Sequence, residues 1–346
     1  MFKKDPNNFL KKKGTLYLTI LILALGLTLF FIFHKPLPKY YEKKDFALGT
    51  WVNVVVASNK IDSEKLTDIA FNEMRRIERK FSKNIETSVI SQLNEKRSIT
   101  ADKETLFLIK AAINYADLTG SAFDPTVGAI IKLWGFDDMN SKKRVPTQEE
   151  INKLLPGVSY KFIKIEGNKI TLLNDKTMVD LGGIAKGYAV DMAIQKIKDL
   201  DPNATGFIDA GGDIGIIGPK FGRFAWSIGI RDPDGGPYDI KERVYLKEGA
   251  IVTSGNYERY FIKDGVRYHH LIDPKTGYPA NYYKSVTIIS DSAMKADAMA
   301  TALFILGDKL IGLDSMTRYG IQVYGITSNN KIVKTTGFDY YLKEEK

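Results

Sequence analysis

An α+β fold, a mixed β-sheet core with helices packed on it, is the class this sequence predicts. Helical periodicity dominates the first half of the body, and short β-rich runs dominate the second. Strands and helices do not alternate cleanly, which argues against a doubly wound parallel sheet.

The body is expected to begin near Asp45 and run over 45–346. Residues 50–57 (TWVNVVVA) are β-branched and predict a strand. Over 63–81, Ile69, Met74, Ile77 and Phe81 recur on one helical face, and 103–118 is a second amphipathic helix. Asp124-Pro125 precedes a third over 126–134, because proline suits an early helical position. Thr147-Gln-Glu-Glu150 has the spacing of a capping box and predicts a short helix start. Strands are then expected at 162–165, 169–173, 178–181, 206–209, 214–217, 225–230, 244–246, 251–253, 285–289, 321–326 and 332–335. Helices at about 185–197 and 293–306 interrupt them.

The N-terminus carries a different signal. Residues 15–33 form an apolar run broken only by threonines and a glycine. At a rise of about 1.5 Å per residue it reaches across about 30 Å of hydrocarbon. A basic tail at 1–14, with five lysines and one aspartate, precedes it, and a linker at 35–44 holding Pro36 and Pro38 follows. The expectation is a single-pass anchor at 15–34, with the tail cytoplasmic and the body outside the cell membrane. An uncleaved or cleaved signal peptide is the competing reading, although no small-x-small cleavage site follows Phe33.

The chain has no cysteine, which excludes disulfides, thiolate metal sites and a cysteine nucleophile. Three histidines leave little room for a histidine-rich metal centre. The net charge is +9, but no basic-aromatic stripe is present, so nucleic acid is not an expected partner.

Several motifs are candidates for chemistry. Asp297 and Thr301 stand at i and i+4 in a helix of small and apolar residues, which puts two oxygens on one face. Spacing admits a Mg²⁺ site with a carboxylate and a hydroxyl ligand. It equally admits an exposed aspartate and a threonine bonded back to the helix. Asp180-Leu-Gly-Gly183-Ile-Ala-Lys186-Gly reads as strand, glycine turn and helix start. Its turn suits close approach to a phosphate that Lys186 reaches, or is a plain connector. Asp209-Ala-Gly-Gly-Asp213 lacks dinucleotide-binding spacing and reads as a tight hairpin. His270, in the run His269-His270-Leu-Ile272-Asp273-Pro, is a base, a ligand contact or a structural hydrogen-bonder. Phe123 and the aromatics of Leu133-Trp-Gly-Phe136 stack a flat ring or pack a core. No G-x-S-x-G elbow surrounds Ser254, which disfavours a serine hydrolase.

Taken in order, FDPTVG, LWGF, DLGGIAKGYAVD, DAGGD, TSGNYERYF, HHLIDPKTGYPA and KADAMATALFILG form one series. That series resembles the ApbE family of FAD:protein FMN transferases over about residues 46–336. The resemblance implies an ApbE-like fold and a Mg²⁺-dependent reaction. FAD is split at its pyrophosphate, AMP leaves, and FMN joins a Thr or Ser hydroxyl of a target protein as a phosphoester. Asp297 and Thr301 match the family's metal ligands, and a third falls at Gly183 through its carbonyl. Ala122, Phe123, Asp124, Asp180, Lys186, His270 and Ile272 match flavin-nucleotide contacts. Leu48 stands where many relatives have Met. Asn84 falls where many carry an aromatic that packs on the flavin, and an amide there weakens stacking. For catalysis the candidates are His270, Asp273 and Lys186.

The resemblance further implies an acceptor, a redox or electron-transfer protein with an Asp-x-x-Thr/Ser-Gly-Ala-Thr/Ser motif. Two alternatives stand beside it: an FAD pyrophosphatase releasing FMN and AMP to water, and a non-catalytic flavin-binding protein. No acceptor motif occurs in this chain, since Asp117-Leu-Thr-Gly-Ser-Ala122 has the wrong spacing.

Overall fold

The computed structural model describes residues 17–27, 39–138, 140–307 and 313–344. The chain divides into two units, 1–39 and 40–346. In the first, residues 17–27 are helical with exposed side chains. Among the described residues no helix is long and apolar enough to cross a membrane. The basic tail at 1–14, much of the expected anchor at 15–34, and residues 35–38 of the linker lie outside the described residues.

The second unit starts its first strand earlier than Asp45. Strand β1 (Tyr41–Ala47) pairs antiparallel with β2 (Thr50–Ala57). Charge concealed this strand. Lys43 and Asp45 turn toward helix α1 (Ser63–Phe81), where Asp68 pairs Lys43 and Arg75 pairs Asp45, both at 2.5 Å.

Beyond α1 come α2 (Val89–Lys96), β3 (Ser98–Thr100), α3 (Lys103–Leu118), α4 (Gly128–Trp134) and α5 (Gln148–Leu154). Then follow β4 (Ile163–Glu166), β5 (Lys169–Leu172), α6 (Ala185–Leu200), β6 (Thr205–Ala210), β7 (Asp213–Gly218), β8 (Trp226–Arg231) and β9 (Ile240–Leu246). The chain closes with β10 (Ala250–Gly255), β11 (Tyr260–Lys263), β12 (Val266–His269), β13 (Tyr283–Ser290), α7 (Ala293–Leu306), β14 (Ile321–Thr327) and β15 (Ile332–Lys334).

Eight strands form the main sheet in the order β1-β2-β6-β7-β10-β13-β14-β15. Every pairing in it is antiparallel, which corrects the expected mixed sheet. Neighbours joined by tight turns, β1/β2 and β6/β7, must run antiparallel, and the long helical excursions return in the same sense. An isolated bridge between Val127 and Met178 is parallel.

Period-2 alternation sorts the two faces of the sheet. Val52, Val54, Val56 and Ile208 face a core shared with α1 and α6, while Val286, Ile288, Ile321 and Val323 pack on α7. On the other face Ile216, Ile251, Ile289 and Ile326 meet the β8/β9 hairpin and Phe338.

The expected capping box at Thr147 and Glu150 is formed. Helix α4 starts two residues later than expected, because the Asp124 carboxylate accepts both the Thr126 N–H and its hydroxyl. Residues 178–181 are not a strand. The Asn94 amide takes both backbone groups of Val179, accepting its N–H at 2.7 Å and donating to its carbonyl at 2.9 Å.

A charge network ties α1, α3 and α6 together. Arg76 donates to Glu73 and Glu104, Lys80 donates to Glu104 at 2.6 Å, and the Tyr188 hydroxyl donates to Glu104 at 3.1 Å. Arg76, with Lys80 behind it, holds the Glu104 carboxyl down to about 2. A depressed folded-state value means stability present above the ordinary value of 4.5 and lost as pH falls toward 2. Glu104→Gln is therefore expected to cost about 1–2 kcal/mol at pH 7. Urea unfolding at stepped pH should show that cost shrinking below pH 4.5; a cost independent of pH contradicts the assignment.

Candidate active site

The site is built where α6 crosses α7. Gly187 makes the crossing possible, since a Cβ there would lie 2.3 Å from the Ala293 carbonyl oxygen. Its N–H donates to Asp297 Oδ2 at 3.1 Å. One turn further along α6, Asp191 accepts the Ala293 and Met294 N–H groups and the Ser292 hydroxyl, and so closes the N-terminus of α7. This grip sets where Asp297 and Thr301 point.

Both residues open onto a cleft of about 890 Å³. The tip of the β1/β2 hairpin overhangs it with Leu48 and Gly49, both at positive φ, a turn suited to the strand twist. The loop after α1 contributes Lys83 and Asn84, and the segment before α4 contributes Ala122, Phe123 and Asp124. Asp180, Gly183 and Lys186 line it from the turn into α6, and His270 and Ile272 from the segment after β12. The structure thus brings together the expected site residues apart from Asp273.

Asp273 is a turn residue. Its carboxylate accepts the Lys275 N–H at 2.8 Å, and its backbone bonds to Tyr278 and Gly277. It does not line the cleft, and its candidacy for the proton step is corrected here. The Asx turn that Asp-Pro favours is what engages it.

Lys186 is also reassigned. Its ammonium donates to Asp213 and to the Ala210 carbonyl, so it neutralises a carboxylate of the site instead of standing free for a phosphate. Burial pulls the ammonium down, but Asp213 and Asp297 outweigh it and hold Lys186 above its ordinary value. Asp297 itself lies well above the usual carboxylate range, pushed up by burial and then by Asp213.

Other predicted residues hold the loops in place. The Asp124 carboxylate is buried and accepts from Thr126 and from the Tyr160 N–H. Asp180 accepts the Gly182 N–H at 2.8 Å and faces Lys83 at 3.6 Å. Asn84 donates to the Asp137 carbonyl at 2.6 Å. The His270 ring is half-buried beside the Arg259 carbonyl at 3.3 Å. Burial, then Arg259, hold its imidazole down to about 3, which keeps it neutral at pH 7.

Among the cleft residues to which the sequence reading gave no role are Asp213, Lys83 and Arg259. Asp213 had a signal, a carboxylate opening an apolar run. Arg259 reaches the hairpin tip, its guanidinium 3.7 Å from where a Gly49 Cβ would stand.

Asp297, Thr301 and the Gly183 carbonyl fit a hard cation. A Cβ on Gly183 would lie 3.3 Å from Thr301 Oγ1, so the glycine turn and the α7 hydroxyl abut. All three donors are oxygens, as Mg²⁺ requires. Among the described residues no three His, Cys, Asp or Glu side chains form a ligand cluster.

The ApbE family model matches residues 48–323. The chain belongs to the ApbE family. It is 32% identical over 292 residues to the FAD:protein FMN transferase of Treponema pallidum, covering 77% of this chain and 79% of that protein. With the Vibrio cholerae FAD:protein FMN transferase it shares 35% over 230 residues, 66% of this chain and 69% of that one. Among solved structures, the ApbE protein of Thermotoga maritima superposes with a TM-score of 0.85 at 44% identity, covering 88% of this chain and 100% of that one. The flavin transferase ApbE of Vibrio cholerae gives 0.77 at 30%, with 88% and 100% covered.

The helix crossing supplies a test. Gly187→Ala should destabilise the ApbE fold by about 2–3 kcal/mol through overpacking against backbone. Denaturant unfolding reads it, and a change under about 0.5 kcal/mol means that the crossing has slack.

Proposed function

We propose that this protein is an FAD:protein FMN transferase that moves FMN from FAD to a Thr or Ser hydroxyl of a target protein, releasing AMP. The observation that carries the reading is the meeting of Asp297, Thr301 and Gly183 beside Phe123 on one cleft wall. Oxygen donors for a cation and an aromatic for a ring stand side by side, as splitting a flavin pyrophosphate demands.

Asp297, Thr301 and the Gly183 carbonyl would hold Mg²⁺. When bound, the ion supplies charge compensation to the pyrophosphate and polarises its oxygens. The protein's own groups do the rest. Leu48, Asn84, Ala122, Phe123, Asp180 and Ile272 border the flavin nucleotide. Lys186, locked on Asp213, keeps the floor of the cleft from accumulating negative charge. His270, which lines the cleft with its Nδ1 beside the Arg259 carbonyl, is the group placed to take the proton of the target hydroxyl as the new phosphoester forms. The acceptor is a redox or electron-transfer protein bearing the Asp-x-x-Thr/Ser-Gly-Ala-Thr/Ser motif. The apolar run at 15–33 with its lysine-rich flank supports a membrane-anchored enzyme whose body works outside the cytoplasm.

Incubating the protein with FAD, Mg²⁺ and a motif-bearing acceptor should add the mass of FMN to the acceptor and release AMP. Free FMN and AMP without an adduct select the pyrophosphatase reading, and neither product leaves flavin binding alone. Asp297→Ala should lower adduct formation about 10²-fold or more, with little recovery on added Mg²⁺. Near-normal turnover in that variant removes Asp297 from the metal set.

A further inference from the structure

Asp213 opens β7 on the floor of the cleft and is 1% exposed. Its Oδ1 takes the Lys186 ammonium, while Oδ2 is buried and has no hydrogen-bond partner. Asp297, from α7, lines the same cleft, and the two carboxyl side chains act on each other. Two carboxylates and one ammonium therefore meet at a buried point.

A buried carboxylate oxygen met by no hydrogen bond, beside a second carboxylate, is costly, and either a proton held between the two or a cation bridging both relieves that cost. The surroundings supply hard donors alone: the Thr301 hydroxyl one turn along α7, and the Gly183 turn against it. The β6/β7 hairpin carries Asp213 to this point. Gly211 and Gly212 turn it at positive φ, and Asp209 accepts the Gly212 N–H at 2.9 Å.

We propose that Asp213, through its free Oδ2, is a further ligand of the divalent cation held by Asp297, Thr301 and the Gly183 carbonyl. This rests on the cation site of the proposed function and adds a second carboxylate to it. Lys186 then tunes the site, its ammonium offsetting one of the two ligand charges when both carboxylates are ionised.

The test uses Mn²⁺ as probe, with free Mn²⁺ read by electron paramagnetic resonance. The double variant Asp213→Ala/Lys186→Met removes one carboxylate and one ammonium, so the formal charge of the cluster is unchanged while position 213 keeps no oxygen donor on its side chain. The expected result is Mn²⁺ binding at least about 10-fold weaker than wild type. Wild-type affinity in the folded double variant overturns the inference while leaving the Asp297 site standing. Absence of any saturable Mn²⁺ site in the wild type overturns the cation site and Asp213 with it. Should the double variant not fold, the wild type answers directly. With ¹³C-labelled aspartate carboxylates, electron–nuclear double resonance of bound Mn²⁺ should resolve two ligating carboxylates, and a single one overturns the proposal.

Discussion

The close crossing of α6 over α7 is the constraint on which the site depends. A glycine at position 187 lets the two backbones meet, and its N–H fixes one oxygen of Asp297. Asp191, a turn further on, satisfies donors that the start of α7 leaves open. Without that contact the carboxylate of Asp297 and the hydroxyl of Thr301 have no defined direction. The N-terminal end of α6 and the Lys186 ammonium favour the charged form of Asp297 from two sides, but burial and Asp213 outweigh them and hold the carboxyl well above the usual carboxylate range.

The rest of the cleft is assembled from loops, and each loop is stiffened by its own polar side chains. Asp124 ties the segment before α4 to Tyr160, Asn84 ties the loop after α1 to Asp137, and Asp273 closes the turn below His270. Residues that the family pattern marks as contacts thus serve first as fasteners. This is a sensible division for a site that must orient a long dinucleotide. Preorganised loops lower the entropy cost of holding a bound ligand in one pose. The antiparallel sheet beneath contributes rigidity, since its β6/β7 turn delivers Asp213 to the same floor.

Linear order was enough for much of this. The amphipathic helices, the capping box at Thr147, the hairpin at Gly211-Gly212 and the i,i+4 pair of Asp297 and Thr301 all follow from local chemistry, which neighbouring residues carry in full. So does the ordered motif series that points to the ApbE family. Where local signals conflicted with distant partners, the reading slipped. Tyr41 to Lys44 looked like linker because Lys43 finds Asp68, and the adjoining Asp45 finds Arg75, only in the folded chain. Residues 178–181 looked like a strand because nothing in them reveals that Asn94 takes the backbone of Val179.

The sequence by itself therefore determined most of the element types, the family and a core set of the residues that line the cleft. Tertiary structure alone decided their roles. Lys186 faces a carboxylate and not open space, Asp273 caps a turn, and Asp213 becomes a buried acid with a free oxygen. The physical reason is that charge and hydrogen-bond capacity belong to pairs of groups. Positions 186 and 213 are brought together by a helix, a strand and a hairpin, and no spacing rule along the chain records that meeting.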